Sequence, residues 1–91
     1  MEDQIKIAVQ SYANRKLDSM LLLPVTEGEK QYIIQLAMEL VASREKIKLS
    51  NTGFIKAILD NDLESAINLS DSTNIKALKF LVMVKKWCHV N

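Results

Sequence analysis

An all-α fold is what this sequence predicts, and three observations predict it. The run from Thr26 to Ser43 is long, apolar and clearly started: Thr26 followed by Glu29 forms a capping box, Glu27 adds a negative charge to the first turn, and Tyr32, Ile33, Ile34, Leu36, Ala37, Met38, Leu40, Val41 and Ala42 follow with only Gln35 and Glu39 between them. A second stretch of the same character, Thr73 to His89, carries Ile75, Ala77, Leu78, Phe80, Leu81, Val82, Met83, Val84, Trp87 and Cys88. Apolar residues make up 48% of the chain, yet aromatics only 5%, with 2 Gly and 1 Pro, a balance that favours packed helices over strands and turns. The expectation is a compact bundle of four to six helices, two long apolar helices with short ones between. Ninety-one residues make one domain, 1–91, with a single modest core.

Taken in order, Ile5, Ala8, Val9, Tyr12, Ala13 and Leu17 recur at three/four spacing from Asp3, giving a first amphipathic helix that ends near Leu22, before Pro24. The adjacent apolar residues Met20 to Leu23 read either as a buried connection into the core or as an exposed docking patch. In the central run Gln31, Gln35, Glu39 and Ser43 fall in one polar line spaced by four, so most of that helix's circumference needs cover. After the charged link Arg44 to Lys48 and a break at Leu49, Ser50 or Asn51 is expected to cap a short helix bearing Phe54, Ile55, Ala57, Ile58 and Leu59. Asn61 with Glu64 three residues on is expected to start another, bearing Leu63, Ala66 and Ile67. The last helix is expected as one piece from about Thr73 to His89.

Charge and composition limit the chemistry. The net charge is +1, but the first half is acidic and the second basic, and from Ile75 onward Lys76, Lys79, Lys85 and Lys86 stand without an acid. These lysines either complement a helix C-terminus or form a basic patch for an acidic partner. A single cysteine and no signal-peptide pattern suit a reducing cytosol, and no apolar run is long enough for a membrane helix. Cys88 and His89 are adjacent, hence about 100° apart on a helix and a poor nucleophile–base pair, and they are too few for a structural zinc site. Asp60 with Asp62 and Glu27 with Glu29 are explained by turns and caps, and Gly28 lacks the pattern of a phosphate loop. No enzyme, cofactor or metal is expected. Residues 50 to 68 could form a helix-turn-helix, but its second helix would offer Asp62, Glu64, Ser65 and Asn68 to phosphates, so direct nucleic-acid binding is not expected.

Within residues 31 to 58 the order of residue types resembles the small anti-sigma factors of T-even-type phages, the AsiA family. The residues that carry the resemblance are Ile33, Ile34, Leu36, Glu39 and Leu40, then Lys48-Leu49, then Phe54 with Lys56. Total length is similar too. The resemblance implies an all-helical protein that binds region 4 of a host's primary sigma factor, remodels it and keeps polymerase off its promoter elements. It also implies co-activation with a second phage protein, and self-association through the sigma-binding face when the partner is absent, hence a homodimer. Leu36 and Leu40 would then lie on or beside the partner-binding helices, with Ile5, Val9, Tyr12 and Leu17 supplying the rest. Read independently of that resemblance, Tyr12, Leu21 and Leu22 are candidate apolar anchors, with Arg15 and Lys16 at the rim.

Two function classes follow. One is a protein-binding transcription regulator of the anti-sigma kind, contacting a sigma factor or RNA polymerase in a bacterial cytosol. The other is a self-assembling helical adaptor, or an oligomer that captures an anionic ligand between subunits through the C-terminal lysines, since two helices this apolar exceed the obvious needs of one small core.

Overall fold

The computed structural model describes residues 2–48 and 52–90 and contains six helices and no strand among them. They are α1 (Glu2–Met20), α2 (Glu27–Arg44), α3 (Gly53–Leu59), α4 (Leu63–Leu69), α5 (Ser72–Lys76) and α6 (Leu78–Trp87). The fold is therefore the all-α bundle that the composition and periodicity imply.

α2 begins where the capping box places it. The Glu29 N–H donates to Thr26 Oγ1 at 3.1 Å and the Thr26 N–H donates to Glu29 Oε1 at 3.0 Å, so two amides left over at the helix start are both satisfied. The rest of the chain packs around this helix. Ile33, Ala37, Leu40 and Val41 are fully enclosed, α1 lies antiparallel along one side through Ile5, Val9, Ala13 and Leu17, and α6 closes another with Phe80, Leu81 and Val84. A 2.9 Å ion pair between Lys30 and Asp18 ties the end of α1 to the start of α2. The two most apolar stretches of the chain thus cover each other, and the surplus of apolar surface that pointed towards assembly is largely absorbed within one hydrophobic cluster.

The polar line of α2 does not stay on one face. Gln31 and Gln35 are exposed, Glu39 is half-buried and Ser43 is buried, its hydroxyl donating to the Lys48 carbonyl at 3.1 Å. Four residues advance a helix by about 400°, so a line spaced by four drifts about 40° per step and here turns from solvent into the core.

Four boundaries differ from the sequence expectation. α1 stops at Met20 rather than near Leu22, and the apolar run after it divides: Met20 and Leu21 are half-buried against the core whereas Leu22 and Leu23 are exposed. The last helix is two helices, broken at the buried Ala77. The cause is the connecting segment after α1, whose Leu22 N–H donates to the Lys76 carbonyl at 2.8 Å and stitches a distant strand of chain into the helix at that point. Asp62, not Asn61, caps α4, accepting from the Ser65 N–H at 3.1 Å. Asn61 instead ends α3: it adopts φ 59, its N–H donates to Ile58 O at 3.1 Å and the Asp62 N–H donates to Ala57 O at 2.8 Å, a Schellman motif with asparagine in the left-handed position. Finally, Ser50 and Asn51, either of which is expected from the sequence to cap α3, lie outside the described residues; Thr52 occupies the cap position, where its hydroxyl accepts from no amide of its own helix and donates to Glu39 Oε1 at 3.3 Å.

α2 ends in the same motif. Lys46 N–H donates to Ser43 O at 3.1 Å and Ile47 N–H to Ala42 O at 3.0 Å, with Lys46 at φ 60. A lysine there bears the steric cost of the left-handed region that glycine escapes. Lys46→Gly is accordingly expected to stabilise the protein by up to about 1 kcal/mol, read as a rise in the denaturation midpoint at unchanged slope.

Candidate partner-contact surface

The fold leaves some of its surface unpartnered, and a groove there is the candidate site. This groove of about 490 Å³ runs along α2, where the N-terminal part of α1 meets it. Ile5, Leu36, Met38 and Ala42 give it an apolar base, and Tyr32, Gln35, Glu39 and Lys48 form its edges. The positions on α2 recur at three and four residues, so one helix face supplies most of the lining. Tyr32 is 43% exposed, a large apolar ring turned outwards on an otherwise enclosed helix. Partial burial, and then the neighbouring Asp71 carboxylate, push its phenol above the ordinary value, so it remains a neutral hydrogen-bonding group at physiological pH.

One end of α2 is held in place by a single carboxylate. Glu29 closes the capping box, and its other oxygen accepts from Thr73 Oγ1 at 2.9 Å and from Lys76 Nζ at 3.1 Å, joining α2 to α5. The Thr26 backbone amide first, then Lys76 and Thr73, hold its pKa down to about 2 from 4.5. A depressed folded-state pKa contributes stability above the unfolded value that is lost as pH falls through the folded one. Glu29→Gln does not titrate, so the wild type is expected to be the more stable protein above pH 4.5 and to lose that advantage between pH 4.5 and about 2, measured as the difference in melting temperature across an acid series.

The residues singled out from sequence as partner contacts fall into three groups. Ile5 and Leu36 lie at the base of the groove and are themselves buried. Val9, Tyr12, Leu17 and Leu40 are interior, at 0–6% exposure, so in this fold they are core residues rather than surface. The Tyr12 ring sits 5.9 Å from that of Phe80, and the Arg15 guanidinium lies over the ring, 5.8 Å from its centroid. Leu21 is half-buried and Leu22 exposed, but they follow the far end of α1, more than about 20 Å along the helix from Ile5. The eight residues therefore do not form one surface. The reason is that an amphipathic stripe on α1 records only that one side avoids water, and α2 and α6 supply the cover.

The C-terminal lysines do not form one patch either. Lys76 is paired with Glu29, and Lys85 Nζ donates to the Ile58 carbonyl at 3.0 Å and to Asn61 Oδ1, capping the end of α3. Only Lys79 and Lys86 stand exposed, seven residues and about 10 Å apart on α6. Arg44 of α2 in turn donates to the Val84 and Lys85 carbonyls at 3.3 and 3.0 Å, so the cations near helix ends mostly serve another helix's C-terminus.

The groove residues that sequence reasoning missed are Tyr32, Gln35, Met38, Glu39, Ala42 and Lys48. Their signal was the middle of the polar line of α2, Gln35 and Glu39, which falls on the open side of that helix. Among the described residues no three His, Cys, Asp or Glu side chains are grouped to hold a metal, and no helix is long and apolar enough to cross a membrane. Cys88 is buried, which pushes its thiol pKa up. Comparison with protein-family models, with curated proteins and with solved structures found no match for this chain.

Proposed function

We propose that this protein works by contact, as an anti-sigma-type transcription inhibitor that binds region 4 of a sigma factor in a bacterial cytosol through the α1–α2 groove. The observation that carries the contact reading is the groove itself: an apolar base with polar edges, on a helix whose every other side is packed. That is the form an amphipathic helix fits, with a few large apolar side chains seated and charged residues setting orientation. The choice of sigma as the partner rests on the resemblance across residues 31 to 58. Leu36 contributes to the base and Glu39 and Lys48 to the edges, so three of the residues that carry the resemblance line the groove.

Glu39 and Lys48 give the edges charges of both signs, and the partner helix is expected to present complementary ones. Co-elution of the chain with an isolated sigma region 4 fragment on gel filtration is the expected result. Elution of the two at their separate volumes, at concentrations well above micromolar, would sink the proposal.

A further inference from the structure

A second unpartnered surface is formed by α3, α4 and α6 and shares no lining residue with the groove. We infer that the outer face of α4 docks a basic amphipathic helix of a protein partner.

Leu63 and Ile67 stand one turn apart on α4 and are 57% and 46% exposed, an apolar pair at the surface of a helix only seven residues long. Beside them Leu63, Ala66, Ala57, Leu78 and Val82 line a recess of about 180 Å³, room for one large aliphatic side chain. The charge around it is one-sided. Between Lys56 and Lys76 the chain has no lysine or arginine but carries Asp60, Asp62, Glu64 and Asp71. Asp60, Asp62 and Glu64 are all exposed and all within three residues of Leu63. Asp62 is engaged with Ser65 as a cap, whereas the carboxylates of Asp60 and Glu64 make no ion pair among the described residues. Lys85, the one cation lining the recess, is turned to the Ile58 carbonyl and Asn61.

Charge decides the occupant. A symmetric contact between two copies through this face would set both acidic sets against each other, and a nucleic acid or an anionic bilayer would meet the same repulsion. A helix that places leucine-like side chains in the recess and along Leu63 and Ile67, with lysines or arginines flanking them, satisfies both the apolar pair and the free carboxylates.

The test is fluorescence anisotropy with a labelled synthetic helix of about four turns, leucines on one face and lysines on the rest, beside a counterpart with glutamates in place of the lysines. The wild-type chain is expected to bind the lysine helix, increasingly weakly as salt rises, and to ignore the glutamate helix. Leu63→Ser with Ile67→Ser, and separately Asp60→Lys with Glu64→Lys, are each expected to weaken binding by about tenfold, while Tyr32→Ala in the other groove changes nothing. All four changed side chains are exposed, and circular dichroism checks that each variant folds. Equal affinity of wild type and both double variants, or equal binding of the two synthetic helices, would overturn the inference. So would sedimentation showing that the chain self-associates, that Lys86→Glu abolishes this, and that self-association excludes the lysine helix, because the occupant would then be the basic α6 of a second copy.

Discussion

Phe80→Ala is expected to cost about 3–5 kcal/mol, the range for truncating a fully enclosed aromatic. The Phe80 side chain has no exposed surface, packs 5.9 Å from the Tyr12 ring and sits where α6 closes over α1 and α2. A domain of this length has a total stability of only about 5–14 kcal/mol, so the variant would retain a fraction of it and melt more than about 12 °C lower. Trp87 on the same helix is 62% exposed, and Trp87→Ala is expected to change stability by less than about 1 kcal/mol. Denaturant unfolding of the two variants side by side checks the assignment of faces on α6, and equal losses would show the helix to be wrongly oriented.

The second large effect concerns Leu36 and Leu40, which are 6% and 0% exposed. Each truncation to alanine is expected to cost about 2–5 kcal/mol. The two are one turn apart on α2 and share neighbours, so their effects need not add, but together they approach the whole stability of the domain. Leu36→Ala with Leu40→Ala is therefore expected to unfold the chain, visible as loss of the cooperative thermal transition. This makes the pair unsuitable for probing partner contact, even though Leu36 contributes to the groove. Tyr32 and Met38 are the proper probes: one is exposed and the other half-buried on the same groove, and replacing them leaves the enclosed set Ile33, Ala37, Leu40 and Val41 untouched.

The parts of this fold that were legible in the sequence are those written in local chemistry. The capping box of Thr26 and Glu29 appears as the spacing implies, and the α1 stripe of Ile5, Val9 and Leu17 faces inwards as a period of three and four requires. What escaped was set by contacts between residues far apart in the chain. The break at Ala77 follows from a hydrogen bond to Leu22, and nothing in the letters around Ala77 announces it. Lys85 reads as a cation serving its own helix end, but in the structure it reaches the end of α3, 27 residues earlier. Asn61 could equally start α4 or finish α3, and it finishes α3 because Asp62 offers the better cap with a carboxylate on the Ser65 amide.

The candidate site was less legible for a related reason. An apolar residue that avoids water and one that awaits a partner are the same residue type, and only the packing of α2 and α6 on one another separates them. Val9, Tyr12, Leu17 and Leu40 went to the core, and the open face is marked by the polar residues Gln35 and Glu39 among apolar neighbours. Gln35 and Glu39 are informative because both line the groove, whereas Ser43, the next residue of the same polar line, is buried with its hydroxyl bonded to the Lys48 carbonyl.

The proposed seating of a sigma region 4 helix in the α1–α2 groove is tested by the change in amide chemical shifts of the labelled chain as an unlabelled region 4 fragment is added. Perturbations are expected to concentrate at Tyr32, Gln35, Met38, Glu39, Ala42 and Lys48, and to be lost in Tyr32→Ala with Met38→Glu while the spectrum stays that of a folded protein. A perturbed set centred on Lys79 and Lys86 with the groove silent, or no perturbation at saturating fragment, would contradict that seating.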